Sequence, residues 1–272
     1  MGYDVIGDIH GQAGKLEALL RRMGYARRAG RWIPPSGRQA VFLGDLIDRG
    51  PDQVKVVNLV RAMIDAGDAR SVMGNHEFNA IGYVTPRPEE PGAFLRRHTN
   101  RNVSQHEEFI RQVGAGSDLH RNLVRWFRTL PPFLDLDGIR GVHAWWHQDP
   151  RSFRDVAIVD EDQRHRVPDH PLPADYQGSP VDGSPVFVGH YWMEGTPVLQ
   201  SPKLACVDWS AAKHGPLVAY RWDGETELDA SRFVTSDERF TDVFEGAPPQ
   251  VPDTITVAPG GSIRGHSGLA EN

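Results

Sequence analysis

A chain of 272 residues with 39% hydrophobic and 24% charged residues can bury a substantial core without crosslinks, which excludes a disulfide-held miniature and a disordered chain. Its one Cys excludes an internal disulfide, and the opening MGYDVIGDIHG lacks a basic segment followed by an apolar run; a cytoplasmic location is the expectation. A net charge of -6 describes no general nucleic-acid binder, and no stretch approaches the roughly 18 consecutive apolar residues of a membrane span.

From the N-terminus, YDVIGD reads as a short buried strand ending in Gly-Asp. KLEALLRRMG follows it as a helix, with Leu16, Leu19, Leu20 and Met23 on one face and Gly24 at its end. RQAVFLGDLIDRG and VKVVNLVRAMIDAG repeat this order: an apolar run from Ala40 to Leu43, an acidic loop at Gly44-Asp45, then an amphipathic helix. A third unit has Arg70 to Met73 as strand and Gly74, Asn75 and His76 as exit loop. Successive strand-loop-helix units predict an α/β sheet with one active edge.

Between about 80 and 130 the pattern turns helical and polar, with HEEFIRQVG and LHRNLVRWFRTLP as the clearest helices; this reads as an insertion or lid. Asp137-Gly138 between two apolar runs predicts a hairpin whose second strand leads to His143. A Pro- and Asp-rich stretch at about 147–185 reads as a long loop, and SPVFVGHY as another buried strand ending in Gly-His. KLACVDW and GPLVAYRWDG read as a closing hairpin, and residues 247–272, rich in Pro, Gly and Ser, as a flexible tail. The expected organisation is one catalytic domain over 1–240, carrying the helical and loop insertions.

Five apolar strands thus end in groups able to bind a cation: Asp8 with His10, Asp45, Asn75, His143 and His190. Mixed oxygen and nitrogen donors suit borderline divalent ions better than a thiolate site does. Glycines beside them, among them Gly7, Gly44, Gly74 and Gly189, let the backbone turn sharply where side chains must approach an ion. Other signals fall away. GQAGKL lacks the spacing and the Ser or Thr of a nucleotide loop, and Cys206 in an apolar strand reads as a core thiol.

The ordered strings GDIHG, GDLIDRG, GNHE, VHA and VGH resemble those of the calcineurin-like metallophosphoesterases, especially the phosphoprotein phosphatase branch with its serine/threonine phosphatases and symmetrical diadenosine tetraphosphate hydrolases. The resemblance implies a four-layer α/β/β/α sandwich, two mixed sheets flanked by helices. It also implies two divalent ions, Mn2+ first and Fe, Zn, Co or Ni as alternatives. Asp8 and His10 would hold one ion, Asp45 would bridge, and Asn75, His143 and His190 would hold the other. In that pattern His76 is the acid for the leaving oxygen, Asp48 orients it, and Arg49 clamps phosphate. The broad family's second His after Gly-His is replaced here by Trp192, as the phosphoprotein phosphatase branch allows.

The implied activity is hydrolysis of a phosphoric ester by in-line attack of water, in the manner of a serine/threonine phosphatase acting on a phosphorylated protein. A symmetrical dinucleoside tetraphosphate hydrolase, or another hydrolase of nucleotides or small phosphate esters, is the alternative; a non-catalytic metal-binding scaffold is a third reading. Trp145, Trp146 and Trp192 lie beside the His143 and His190 motifs, where they either stack on a base or pack the loops. An extra phosphate-binding Arg is expected between those two histidines, but Arg151, Arg154, Arg164 and Arg166 lie in no assignable motif. The basic run from Arg21 through Arg27, Arg28 and Arg31 to Arg38 is either a solvated face or a receiver of acidic substrate.

Overall fold

The computed structural model describes residues 1–144 and 182–237. Trp145 and Trp146, nearly all of the 147–185 loop, the four Arg between 151 and 166, and the 247–272 tail lie outside the described residues.

Two sheets pack face to face. The first is built on β1 (Gly2–Ile6), parallel to β4 (Arg38–Phe42) on one side and antiparallel to β10 (Val218–Trp222) on the other, with Val5 between Val41 and Tyr220. Outside these lie β5 (Ala69–Ser71), parallel to β4, and β11 (Phe233–Thr235), antiparallel to β10. The second sheet runs β6 (Phe133–Leu136), β7 (Ile139–Val142), β8 (Val186–Val188), β9 (Leu204–Cys206), antiparallel only at the first pair. The predicted Asp137-Gly138 turn joins β6 to β7, with Gly138 in the left-handed region at φ 86°.

Alternation along each strand decides what fills the space between the sheets. Tyr3, Val5, Val41, Leu43, Val218 and Tyr220 of the first sheet meet Leu134, Ile139, Phe187, Ala205 and Val207 of the second in one buried cluster. On the first sheet's other face, Ile6, Ala40, Phe42 and Ala219 meet the helices. All five described helices contribute there: α1 (Ala13–Arg22), α2 (Gln53–Asp65), α3 (Asn75–Val84), α4 (Asn100–Val113) and α5 (Asp118–Phe127). Leu16, Leu19, Leu20 and Met23 are all buried, as their spacing predicts, and Gly24 ends the helix at φ 83°. Thr99 caps α4 and Ser117 caps α5, each side-chain oxygen accepting a backbone N–H of the first turn. The second sheet's remaining face forms its own buried cluster of Val142, Val186, Val188, Leu204 and Cys206.

Two departures from the sequence reading concern strand pairing. KLACVDW and GPLVAYRWDG do not form a closing hairpin: β9 joins β8 in the second sheet, while β10 returns to the first and pairs with β1 and β11. The basic run carries an unforeseen hairpin, β2 (Ala26–Arg28) and β3 (Arg31–Ile33). Arg21 and Arg27 pair with Glu17, Arg31 with Asp68, and Arg38 with Asp4. Asp68 precedes β5, so the Arg31 pair lies at the end of the sheet opposite the acidic loops. No helix among the described residues is long and apolar enough to cross a membrane.

Candidate metal centre

Ligands in open α/β sheets bind beyond the carboxyl ends of parallel strands. At those ends β1 delivers Asp8 and His10, β4 delivers Asp45, and β5 leads to Asn75 and His76; β7, β8 and β9 of the other sheet deliver His143, His190 and Asp208. The site therefore straddles both sheets. The backbone there is held in an unfavourable region: His10, Asp45, Asp48, Arg49 and His190 all have φ between 46° and 69°, and among the described residues only Ala29 and Ser210 otherwise share this without being glycine. Left-handed backbone costs a non-glycine residue about 1–2 kcal/mol, a cost that persists only where surrounding contacts fix it. Two glycines make the crowding possible. A Cβ on Gly74 would lie 2.2 Å from Asp45 Oδ1, and one on Gly189 would lie 2.2 Å from Asp8 Oδ1.

Backbone carbonyls fix the imidazoles. His10 Nδ1 donates to Ile47 O at 2.9 Å and His143 Nδ1 donates to Leu43 O at 2.7 Å, since a carbonyl only accepts. In the neutral rings the Nε2 atoms then carry lone pairs. His10 Nε2 faces Asp45 Oδ2 at 3.6 Å; His143 Nε2 faces Asn75 Oδ1 at 2.9 Å and Asp45 Oδ1 at 3.5 Å. Acceptors aimed at acceptors at these distances suit a cation between them, and a carbonyl-bound Nδ1 is the usual arrangement behind a metal-ligating His. Asn75 Oδ1 also lies 3.0 Å from His190 Nδ1.

The charges agree. Burial first, then His76, push His10 down to about 3, which keeps it neutral. Against the cost of burial, His143, His76 and His10 hold Asp45 far below the ordinary carboxylate range. Burial and the adjacent Asp208 and Asp45 push Asp8 well up, and burial with Asp45 pushes Asp208 up to about 6. Three buried carboxylates this close call for protons or cations. His10, Asp45 and His76 form one group able to hold an ion, and Asp45, His143 and His190 a second, with Asp45 in both. The donors present thus fit a dinuclear divalent centre.

Asp8 belongs to neither three-residue group; its carboxylate is turned to the His190 backbone N–H, which reaches both oxygens at 3.2 and 3.1 Å. His76 sits with His10 and Asp45, at 3.8 Å from Asp45 Oδ2, and its Nδ1 meets Asp48 Oδ2 at 2.6 Å. Burial opposes protonation of His76, but Asp45 and then the Asp48 hydrogen bond raise its pKa above the ordinary value. Arg49 is exposed at the rim, with no hydrogen bond or ion pair among the described residues, and its charge disfavours protonation of His10 and His76.

Three residues escaped sequence reasoning. Glu77, fully buried, accepts backbone N–H groups from Asp45 and Gly74 through Oε2 and from Leu46 through Oε1, and burial with Asp45 pushes it up to about 7. His106 on α4 donates from Nδ1 to Asp48 Oδ1 at 2.9 Å. Asp208 follows β9 just as Asp45 follows β4, so its signal, an apolar run ending in Asp, was already in KLACVDW.

The model of the calcineurin-like phosphoesterase family matches residues 1–205. The asymmetrical bis(5'-nucleosyl)-tetraphosphatase PrpE of Oceanobacillus iheyensis is 27% identical over 257 residues, which are 89% of this chain and 97% of that protein. A crystal structure described as a candidate diadenosine tetraphosphatase superposes with a TM-score of 0.54 at 20% identity, covering 86% of this chain and 93% of that one. A protein serine/threonine phosphatase from Saccharomyces cerevisiae gives 0.54 at 15% identity, covering 86% and 79%. At these identities the two structures speak to the fold alone.

Proposed function

The chain belongs to the calcineurin-like phosphoesterases, and from that premise we propose that it is a metal-dependent hydrolase of dinucleoside tetraphosphates. Its collinearity with a tetraphosphatase along nearly the whole of both chains carries this reading. The likeness to a serine/threonine phosphatase is one of fold, so the first expectation of a protein phosphatase yields to the nucleotide alternative. The site offers physical support. Trp192, two residues after His190, is 38% exposed, and Lys213 Nζ lies 4.0 Å over its ring: an aromatic plate so close in the chain to a candidate ligand, with a cation on it, suits a base and a polyphosphate.

In this reading Asp8, His10, Asp45, Asn75, His143 and His190 hold the two ions, Mn2+ first and Fe, Zn, Co or Ni as alternatives. When bound, divalent ions neutralise phosphoryl oxygens and make water more acidic. Arg49 contacts the phosphates from the rim, where no acidic residue among the described ones pairs with its fork. His76, held by Asp48, delivers a proton to the departing oxygen. Like that relative, this chain would split the four phosphates asymmetrically, three to one.

The test incubates metal-loaded protein with diadenosine tetraphosphate and with phosphoserine, phosphothreonine and phosphotyrosine peptides, and separates the products. ATP and AMP in equal amounts are expected, with kcat/KM at least tenfold above any peptide. Two ADP would make the cleavage symmetrical; faster peptide hydrolysis would restore the protein phosphatase. Asp45→Asn is expected to lose at least 100-fold in activity. Inertness toward every substrate with every metal would leave the scaffold.

A further inference from the structure

Asp48 is 2% exposed and both its carboxylate oxygens are taken, Oδ2 by His76 and Oδ1 by His106. His106 is equally buried, its ring centroid 5.0 Å from those of Tyr83 and Phe109, so packing fixes its Nδ1. Its Nε2 is buried with no hydrogen-bond partner among the described residues. A proton on Nε2 would be an unsatisfied buried donor, so the partnered nitrogen is Nδ1, its N–H aimed at Asp48. A leucine would fill the same space without stranding a nitrogen, so packing does not account for the imidazole.

The same helix grips the loop again. Gln112 Oε1 accepts the Gln53 N–H at 3.0 Å and its Nε2 donates to Pro51 O at 2.7 Å, while Gln53 Oε1 accepts the Asp48 N–H at 2.9 Å. With one oxygen unheld, the carboxylate is free to turn about its broad Cβ–Cγ torsion and carry His76 with it.

We infer that His106 is a positioning residue: it locks the Asp48 carboxylate, and through it sets the direction in which His76 offers its proton. The inference rests on the reading of His76 as the acid for the leaving oxygen. It gives the helical segment 100–113 a part in turnover, through a side chain that touches neither substrate nor ions.

The experiment compares p-nitrophenyl with phenyl esters, mono- or diesters according to which class the metal-loaded enzyme turns over faster. A p-nitrophenolate leaves without a proton; a phenolate needs one. His106→Leu is expected to lower kcat at least tenfold on the phenyl ester and less than threefold on the p-nitrophenyl ester, with KM unchanged on both. His106→Asn, whose Nδ2 stands where Nδ1 stood, is expected to keep the wild-type ratio. Should His106→Leu not fold, His106→Gln, with its amide one carbon further out, takes its place and is expected to lose the ratio. Equal losses on both esters, or an Asn variant as discriminating as Leu, would overturn the inference. His76→Asn separates the two layers: if it shows no preference for the better leaving group, or wild type cleaves neither ester, the reading of His76 fails and the inference with it. If His76→Asn shows the preference and His106→Leu does not, only the inference fails.

Discussion

Burial alone would raise the carboxyl of Asp48, yet the hydrogen bonds from His106 and His76 pull it down to about 2. A folded pKa below the unfolded value of about 3.9 gives stability that is complete above about pH 4 and is lost as the pH falls through 2, on the order of 2 kcal/mol. Urea unfolding of chelator-treated protein is therefore expected to show a gap between wild type and Asp48→Asn that is widest at pH 5 to 6 and closes toward pH 2; a gap independent of pH would contradict it. At this scale the sequence was readable where a residue's place in a strand settles its direction. Asp8, His10, Asp45, His143 and His190 each follow an apolar run, and alternation with a glycine turn sends them to one edge. His106 was not readable, because its partner lies 58 residues away and its helix is polar enough to pass for an ordinary surface element.

Among the elements, α3 begins at Asn75, where the sequence suggested only an exit loop, and its first turn ties two loops together. Glu77 takes the N–H groups of Asp45 and Leu46 from the loop after β4, together with that of Gly74 at the helix start. A glutamine there has one acceptor oxygen and turns an amide donor toward the remaining N–H, leaving buried groups unsatisfied at about 1–3 kcal/mol each. Glu77→Gln is thus expected to lower the thermal midpoint by several degrees and kcat together with it, because the strained Asp45 loses its hold; an unchanged melting curve would refute this. The hairpin of β2 and β3 was illegible because β2 is three exposed residues, Ala-Arg-Arg, with no apolar alternation, and the separation of β9 from β10 was illegible for another reason. Short apolar runs with a turn between them look alike whether the second strand pairs with the first or crosses to another sheet; tertiary packing decides.

At the level of the whole molecule, the α/β class and the helix-flanked pair of mixed sheets were readable from repeated strand-loop-helix units and the ordered motifs. The return of the chain to its first sheet was not. Tyr3 stands opposite Trp222, and Val5 opposite Tyr220, with β11 outside them. Cutting the chain after residue 205, where the family match ends, removes the end of β9, Asp208, β10 and β11 and is expected to give insoluble protein. Cutting after 240 is expected to keep both solubility and activity, as the proposal of one catalytic unit over 1–240 requires. Soluble, active protein from the shorter chain would refute this assignment. The same topology sets a schedule during synthesis. Once made, β1 keeps one edge of unpaired amides and carbonyls until β10 follows it, so the nascent chain is most prone to aggregate just before β10 is synthesised.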